Sequence, residues 1–189
     1  MICVMPSFGQ EHAVKTDSFH TAESNHQVHK KHIISASINH TVIFSAIKNG
    51  ENNTNITLPS FGINYTYAFS HKLAIGLHSD IILEDFVVKG NDPGLQRSGT
   101  EDNNTAVIER GTPISSVVLV IYKPVPYLGL MAGAGREFSS HEDFTVIRFG
   151  IEAPFHLPNH WEMFGVLTYD INIDAYQSLT YGIGIAKAF

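Results

Sequence analysis

The sequence predicts an all-β protein, an eight-stranded antiparallel up-and-down transmembrane β-barrel. Three observations lead there. Several segments alternate large apolar residues on one face with small or polar residues on the other, most plainly Phe61, Ile63, Tyr65, Tyr67 and Phe69 against Ser60, Gly62, Asn64, Thr66 and Ala68. Successive strand side chains point to opposite faces, so one face is greasy and the other small and polar, the pattern of a barrel turned outward to lipid. The connections alternate between short turns and longer polar loops, as in an up-and-down barrel. The closing stretch, Thr180 to Phe189, sets Tyr181, Ile183, Ile185, Lys187 and Phe189 against Thr180, Gly182, Gly184, Ala186 and Ala188. A soluble sheet would show polar groups opposite its large face, whereas small residues suit strands curving tightly around a narrow lumen.

Composition agrees with this reading. Hydrophobic content is 43% and mean hydropathy is close to zero, as expected when lipid-facing and lumen-facing residues average out. Charged residues make up 16%, below the roughly 25% of ordinary globular domains. No run of about 18 apolar residues offers a membrane-spanning helix. A net charge of −6 provides no basic footprint for nucleic acid. The sole cysteine, Cys3, stands in an apolar remnant followed by Pro6 and the small residues Ser7 and Gly9. Residues 1–9 therefore look like the tail of a secretory signal peptide. Cleavage after Gly9 would leave a chain without disulfides or thiol chemistry.

The elements follow in order. Strand one covers about Ile33 to Phe44, with Ile34, Ala36, Ile38, Val42 and Phe44 on one face and Ser35, Ser37, Asn39 and Thr41 on the other. A polar loop at about 48–57 leads to strand two, centred on Phe61 to Phe69. After the turn Ser70-His71-Lys72, strand three runs from Leu73 to about Val88, with Leu73, Ile75, Leu77, Ile81 and Leu83 outward. The longest and most polar loop spans about Gly90 to Gly111. Strand four, about Pro113 to Lys123, is apolar on both faces, so alternation leaves its register open. Pro124-Val125-Pro126 makes a short rigid turn. Strand five is Tyr127 to Phe138, strand six about Phe144 to Phe155, and strand seven Trp161 to about Ile171. Strand eight closes the barrel after a loop near Asp174 to Gln177. Outward aromatics gather at the short-turn ends of these strands: Phe69, Tyr127, Phe155, Trp161 and Phe189, an interfacial girdle.

On these alternating strands and the terminal Phe189, residues 32–189 resemble the small eight-stranded bacterial outer-membrane barrels of the OmpA, OmpX and OmpW type. Lys187, two residues before the end, departs from the usual apolar residue there, although its ammonium can snorkel to water. The resemblance implies an outer-membrane location with both termini periplasmic, and contact with outer-membrane lipid and lipopolysaccharide. It also implies recognition by the barrel-assembly machinery through the Phe189 strand, and a monomer. Residues 10–31 are then a flexible, His-rich periplasmic leader.

The chemistry available inside is polar. The residues expected to face the lumen are His78, Asp80, Glu84, Glu137, Arg148, Glu152, Glu162 and Asp170. Eight strands leave an interior just wide enough for side chains to fill, so a salt-bridged plug around Arg148 is expected, with Glu152, Glu137 or Glu84 as partners. The excess of acids would make any open pore cation-preferring. No cofactor motif is present. His26, His29 and His32 recur at a three-residue spacing that can collect a transition metal, but without Cys or carboxylate partners they read as a solvated tail.

Two further classes remain. A lipid-A-modifying barrel enzyme would need Ser and His on one face, and in His78-Ser79-Asp80 alternation sends Ser79 away from both neighbours. A soluble lipocalin-like carrier would reverse every strand, leaving glycine and alanine to face water. The reading that fits best is an outer-membrane barrel with a plugged lumen and a structural or interaction role through its outer loops.

Overall fold

A computed structural model describes residues 32–48, 51–90, 106–139 and 142–189. The signal-peptide remnant 1–9, the leader 10–31 with His26 and His29, and the loop centre 91–105 lie outside the described residues. The strands are β1 (His32–Lys48), β2 (Glu51–Ala68), β3 (Leu73–Ile82), β4 (Phe86–Gly90), β5 (Ala106–Arg110), β6 (Ile114–Val125), β7 (Leu128–Phe138), β8 (Phe144–His156), β9 (Trp161–Asn172) and β10 (Gln177–Ala188). Eight of them form a closed antiparallel barrel in the order β1-β2-β3-β6-β7-β8-β9-β10, sealed where β10 returns to β1 from Ile33–Ala188 through Ile43–Ser178. Closure leaves the barrel wall without an unpaired strand edge.

Each wall strand obeys the period-two rule. Ile34, Ile38, Phe61, Ile63, Tyr65, Leu73, Leu77, Val118, Val120, Phe149, Ile151, Tyr181, Ile183 and Ile185 are exposed on the outside. Ile38, at 69% exposed, and Ile183, at 65%, would be untenable in water on a closed sheet; in hydrocarbon they are at home. This apolar belt makes the chain a transmembrane β-barrel. Strand four, whose register alternation left open, resolves as β6: Ser115, Val117, Leu119 and Ile121 face in, while Ile114, Val118, Val120 and Tyr122 face out.

The interior has two unlike walls. From β6, β7 and β8 come Val117, Leu119, Ile121, Met131 and Val146, packed with Ala68 and Ala74. From β1, β2 and β10 come Ser37, Asn39, Thr41, Ser60, Asn64, Ser178 and Thr180, all buried. Hydroxyls pair across that polar wall: Thr41 Oγ1 lies 2.8 Å from Ser60 Oγ and 2.9 Å from Thr180 Oγ1. Asn39 donates to Ser37 Oγ at 3.1 Å. Glycine makes this crowding feasible: at Gly62 a Cβ would sit 2.6 Å from Ser37 Oγ and 2.7 Å from Asp80 Oδ1.

Two expectations need correction. The stretch from Leu73 to Val88 is not one strand. It breaks at Leu83–Asp85, and β4 pairs instead with β5 and meets β1 through Val88 and Ala46. The break has local causes: Pro113 O takes the Ile82 amide, Pro59 O takes the Leu83 amide, and Asp85 accepts from both the amide and hydroxyl of Thr112. The loop assigned to about 48–57 is largely strand, and the last part of the one assigned to about 90–111 holds β5, because β1, β2, β4 and β5 rise beyond the barrel rim. Apolar side chains from these extensions bury one another, which outweighs the turn-forming character of the Asn-rich segment.

Candidate functional site

The lumen and its two ends hold nearly every buried charge among the described residues. At mid-height, Arg148 on β8 is 2% exposed. Its Nε donates to Asp170 Oδ1 at 2.7 Å and its Nη2 to Asp170 Oδ2 at 2.6 Å, a two-pronged grip that follows from the direct β8–β9 pairing of the two residues. Nη1 crosses the lumen to Asp80 on β3, and Nη2 also reaches Ser115 Oγ at 3.2 Å. Arg148 is therefore held by Asp80 and Asp170 rather than by Glu84, Glu137 or Glu152. One guanidinium bonds two carboxylates across the barrel, so none of the three charges is left unpaired.

Nearer the loop end lies a second buried cluster. Arg110 on β5, 0% exposed, donates to Glu137 on β7 and to the Glu142 carbonyl, and lies 4.5 Å over the Phe144 ring. Tyr176, in the β9–β10 connection, donates to the Glu137 carboxylate, with both oxygens at 2.7 Å. Burial, and next the Glu137 carboxylate, hold the Tyr176 phenol well above its usual range, so it stays a donor. Around this cluster Ile43, Ala46, Leu58, Ile82, Phe86, Val88, Ile108 and Phe144 form an apolar cap over the lumen.

Sequence reasoning left Arg110 in a loop. The signal was the short apolar run Ala106-Val107-Ile108 before Glu109 and Arg110, too brief and without alternation to stand out within a polar stretch. Glu84 was expected in the lumen but lies exposed in the bend after β3, because the strand break turns it outward.

At the turn end the lumen opens. His78, buried, shares a small internal cavity of about 20 Å³ with Thr66, Lys123, Glu152, Glu162 and Phe164. Outside it lies a mouth of about 630 Å³, walled by the turns Ser70–Lys72, Lys123–Pro126 and His156–Trp161. His156 Nε2 meets Glu162 Oε1 at 3.2 Å there. Phe69, Tyr127, Phe155, Trp161 and Phe189 stand exposed at this end, and Lys187 Nζ lies 4.8 Å over Trp161 and 5.6 Å over Phe189. That cation–π placement accounts for a lysine where an apolar residue was expected.

Ser79 contacts Ser116 Oγ at 3.1 Å on the outer face, away from His78 and Asp80. The exposed His32 has Nδ1 2.8 Å from the Tyr65 hydroxyl, and no group of three His, Cys, Asp or Glu among the described residues is placed to hold a metal ion.

No family model matches the chain, and no curated protein does. Among solved structures it is similar to Ail, the attachment invasion locus protein of Yersinia pestis: 14% identity, 85% of this chain and 99% of that chain covered, TM-score 0.48. It is also similar to the outer membrane protein AlkL, at 11% identity, with 100% of this chain and 97% of that chain covered and a TM-score of 0.47. Neisserial surface protein A is similar at 10% identity, with 84% and 97% covered and a TM-score of 0.41. The closed register, the apolar belt and the side chains that meet across the lumen make this chain an eight-stranded transmembrane β-barrel.

Proposed function

We propose that the protein is a bacterial outer-membrane barrel whose lumen stays closed and whose role is structural or interaction-based, exerted through the loop end. The observation that carries the reading is the pair of buried guanidinium–carboxylate networks, Arg148 with Asp80 and Asp170 and Arg110 with Glu137, the second under an apolar cap. Groups so paired do not leave one another readily, because an unpaired charge in that interior is costly. The extensions of β1, β2, β4 and β5 raise an ordered platform beyond the rim, with Glu84, Asp85 and Glu109 exposed on it. In this reading the turn end and both termini are periplasmic, the belt contacts outer-membrane lipid and lipopolysaccharide, the β10 strand ending in Phe189 is read by the assembly machinery, and the barrel acts as a monomer.

Planar-bilayer recording tests the closed lumen. The wild-type barrel is expected to give no steady conductance, whereas Arg110→Ala combined with Arg148→Ala gives cation-preferring steps through a lumen left with Asp80, Glu137 and Asp170. Stable single-channel steps from the wild type would replace this reading with a narrow cation pore.

A further inference from the structure

The turn-end mouth has a composition that the chain as a whole does not share. The chain carries a net charge of −6, yet this cavity is lined by Lys72, Lys123, His71, His156 and His160 against one carboxylate, Glu162. Glu162 is engaged by His156 at 3.2 Å. The basic groups come from three separate turns, so no single local sequence accounts for their convergence.

Two of them are placed against electrostatic preference. The β3–β6 ladder ends with Leu73 opposite Tyr122, and the Lys123 amide then donates to the Lys72 carbonyl at 2.8 Å. That bond sets two ammonium-bearing residues opposite each other at the end of the ladder, where like charges repel; Glu152 faces Lys123 from the inner cavity, while Lys72 stands at the exposed rim. Pro124 and Pro126 stiffen the chain directly after Lys123. His160 adds a second cost: with Asn159 it holds a left-handed backbone (φ 63° and 61°), at a position where glycine would be easier. Its imidazole lines the mouth nonetheless.

We propose that this mouth binds a phosphate-bearing anion, gripped by Lys72 and Lys123 with the neighbouring imidazoles donating beside them. An anion between the two lysines turns their repulsion into a shared attraction, and lysine serves phosphate well as a compact point charge. The space, about 630 Å³, is far more than a bare carboxylate needs. Trp161, Leu157, Val125 and the two prolines give an apolar wall for an organic group attached to the phosphate. Two sources share this chemistry: the headgroup of a phospholipid in the adjoining leaflet, and a free phosphorylated solute.

The chain contains one tryptophan, Trp161, and it forms part of the wall. The test titrates inorganic pyrophosphate into the full chain in alkyl maltoside micelles, followed by Trp161 fluorescence and by calorimetry. Dihexanoyl phosphatidic acid forms the second arm. A saturable response is expected, weakened at least tenfold in Lys72→Gln/Lys123→Gln and severalfold in Lys72→Gln alone, with heat-modifiable gel migration unchanged. The exposed Lys72 variant preserves the test if the double variant fails to assemble. Tighter binding of the phosphatidic acid identifies a lipid headgroup as the ligand, and tighter binding of pyrophosphate identifies a free phosphorylated solute. No saturable response by either readout, or a folded Lys72→Gln that titrates like wild type, overturns the site.

Discussion

The two ends of this barrel are built on different physics. The loop end is dry: Phe86, Val88, Ile108 and Phe144 enclose an ion pair whose arginine is 0% exposed. The turn end is wet: its ion pair, His156 with Glu162, has side chains 65% and 18% exposed and borders an open mouth. The same type of interaction therefore carries different weight at each end. Water screens the turn-end pair, and flexible side chains there find other partners. At the loop end the buried pair has few described neighbours able to replace a lost partner, so stability concentrates where the chain has least freedom to rearrange.

Substitutions at each end should widen or abolish this contrast. The largest effect is expected for Arg110→Ala, which strands Glu137 beneath the cap with Tyr176 as its one remaining donor among the described residues. A loss of about 3–5 kcal/mol is expected, read as the urea unfolding midpoint in micelles. Val88→Ala removes two methyl groups from the same cap and should cost about 1.5 kcal/mol, at about 0.8 for each buried carbon, read in the same titration. Glu162→Gln breaks the turn-end pair and should cost at most about 1 kcal/mol, shrinking further in high salt. Equal losses for Arg110→Ala and Glu162→Gln would mean that the two ends do not differ in solvation as described.

The sequence carried the barrel wall far better than its rim. Phe61, Ile63 and Tyr65 against Ser60, Gly62 and Asn64 announce their faces by alternation alone, because lipid and lumen impose opposite demands on adjacent residues. Above the rim that rule lapses. Ile43, Leu58, Phe86 and Ile108 bury against each other in a small cap, and their order along the chain shows no period long enough to read. The lumen was legible in part: His78, Asp80, Arg148 and Asp170 follow from face assignment within regular strands. Which carboxylates meet Arg148 was not, since Asp80 reaches it across the barrel and pairing through space depends on the closed register. Arg110 was missed for the same reason, as its partner Glu137 lies on a strand that β5 does not touch in sequence or in the sheet.

The β1–β10 seam has a consequence for the route by which the molecule forms. Its partners, such as Ile33 and Ala188, and the Phe189 amide bonded to the His32 carbonyl at 2.8 Å, come from opposite ends of the described chain. Until β10 arrives, β1 presents a bare row of amides and carbonyls and the sheet is open. Contacts this distant along the chain form slowly, because the entropy of closing the loop must be met before any pairing rewards it. An open apolar sheet waiting on its final strand is prone to pair with another chain. Folding of this protein should therefore be sensitive to crowding by its own copies, and the yield of closed barrels should fall with rising protein concentration well before any change in the stability of those already sealed.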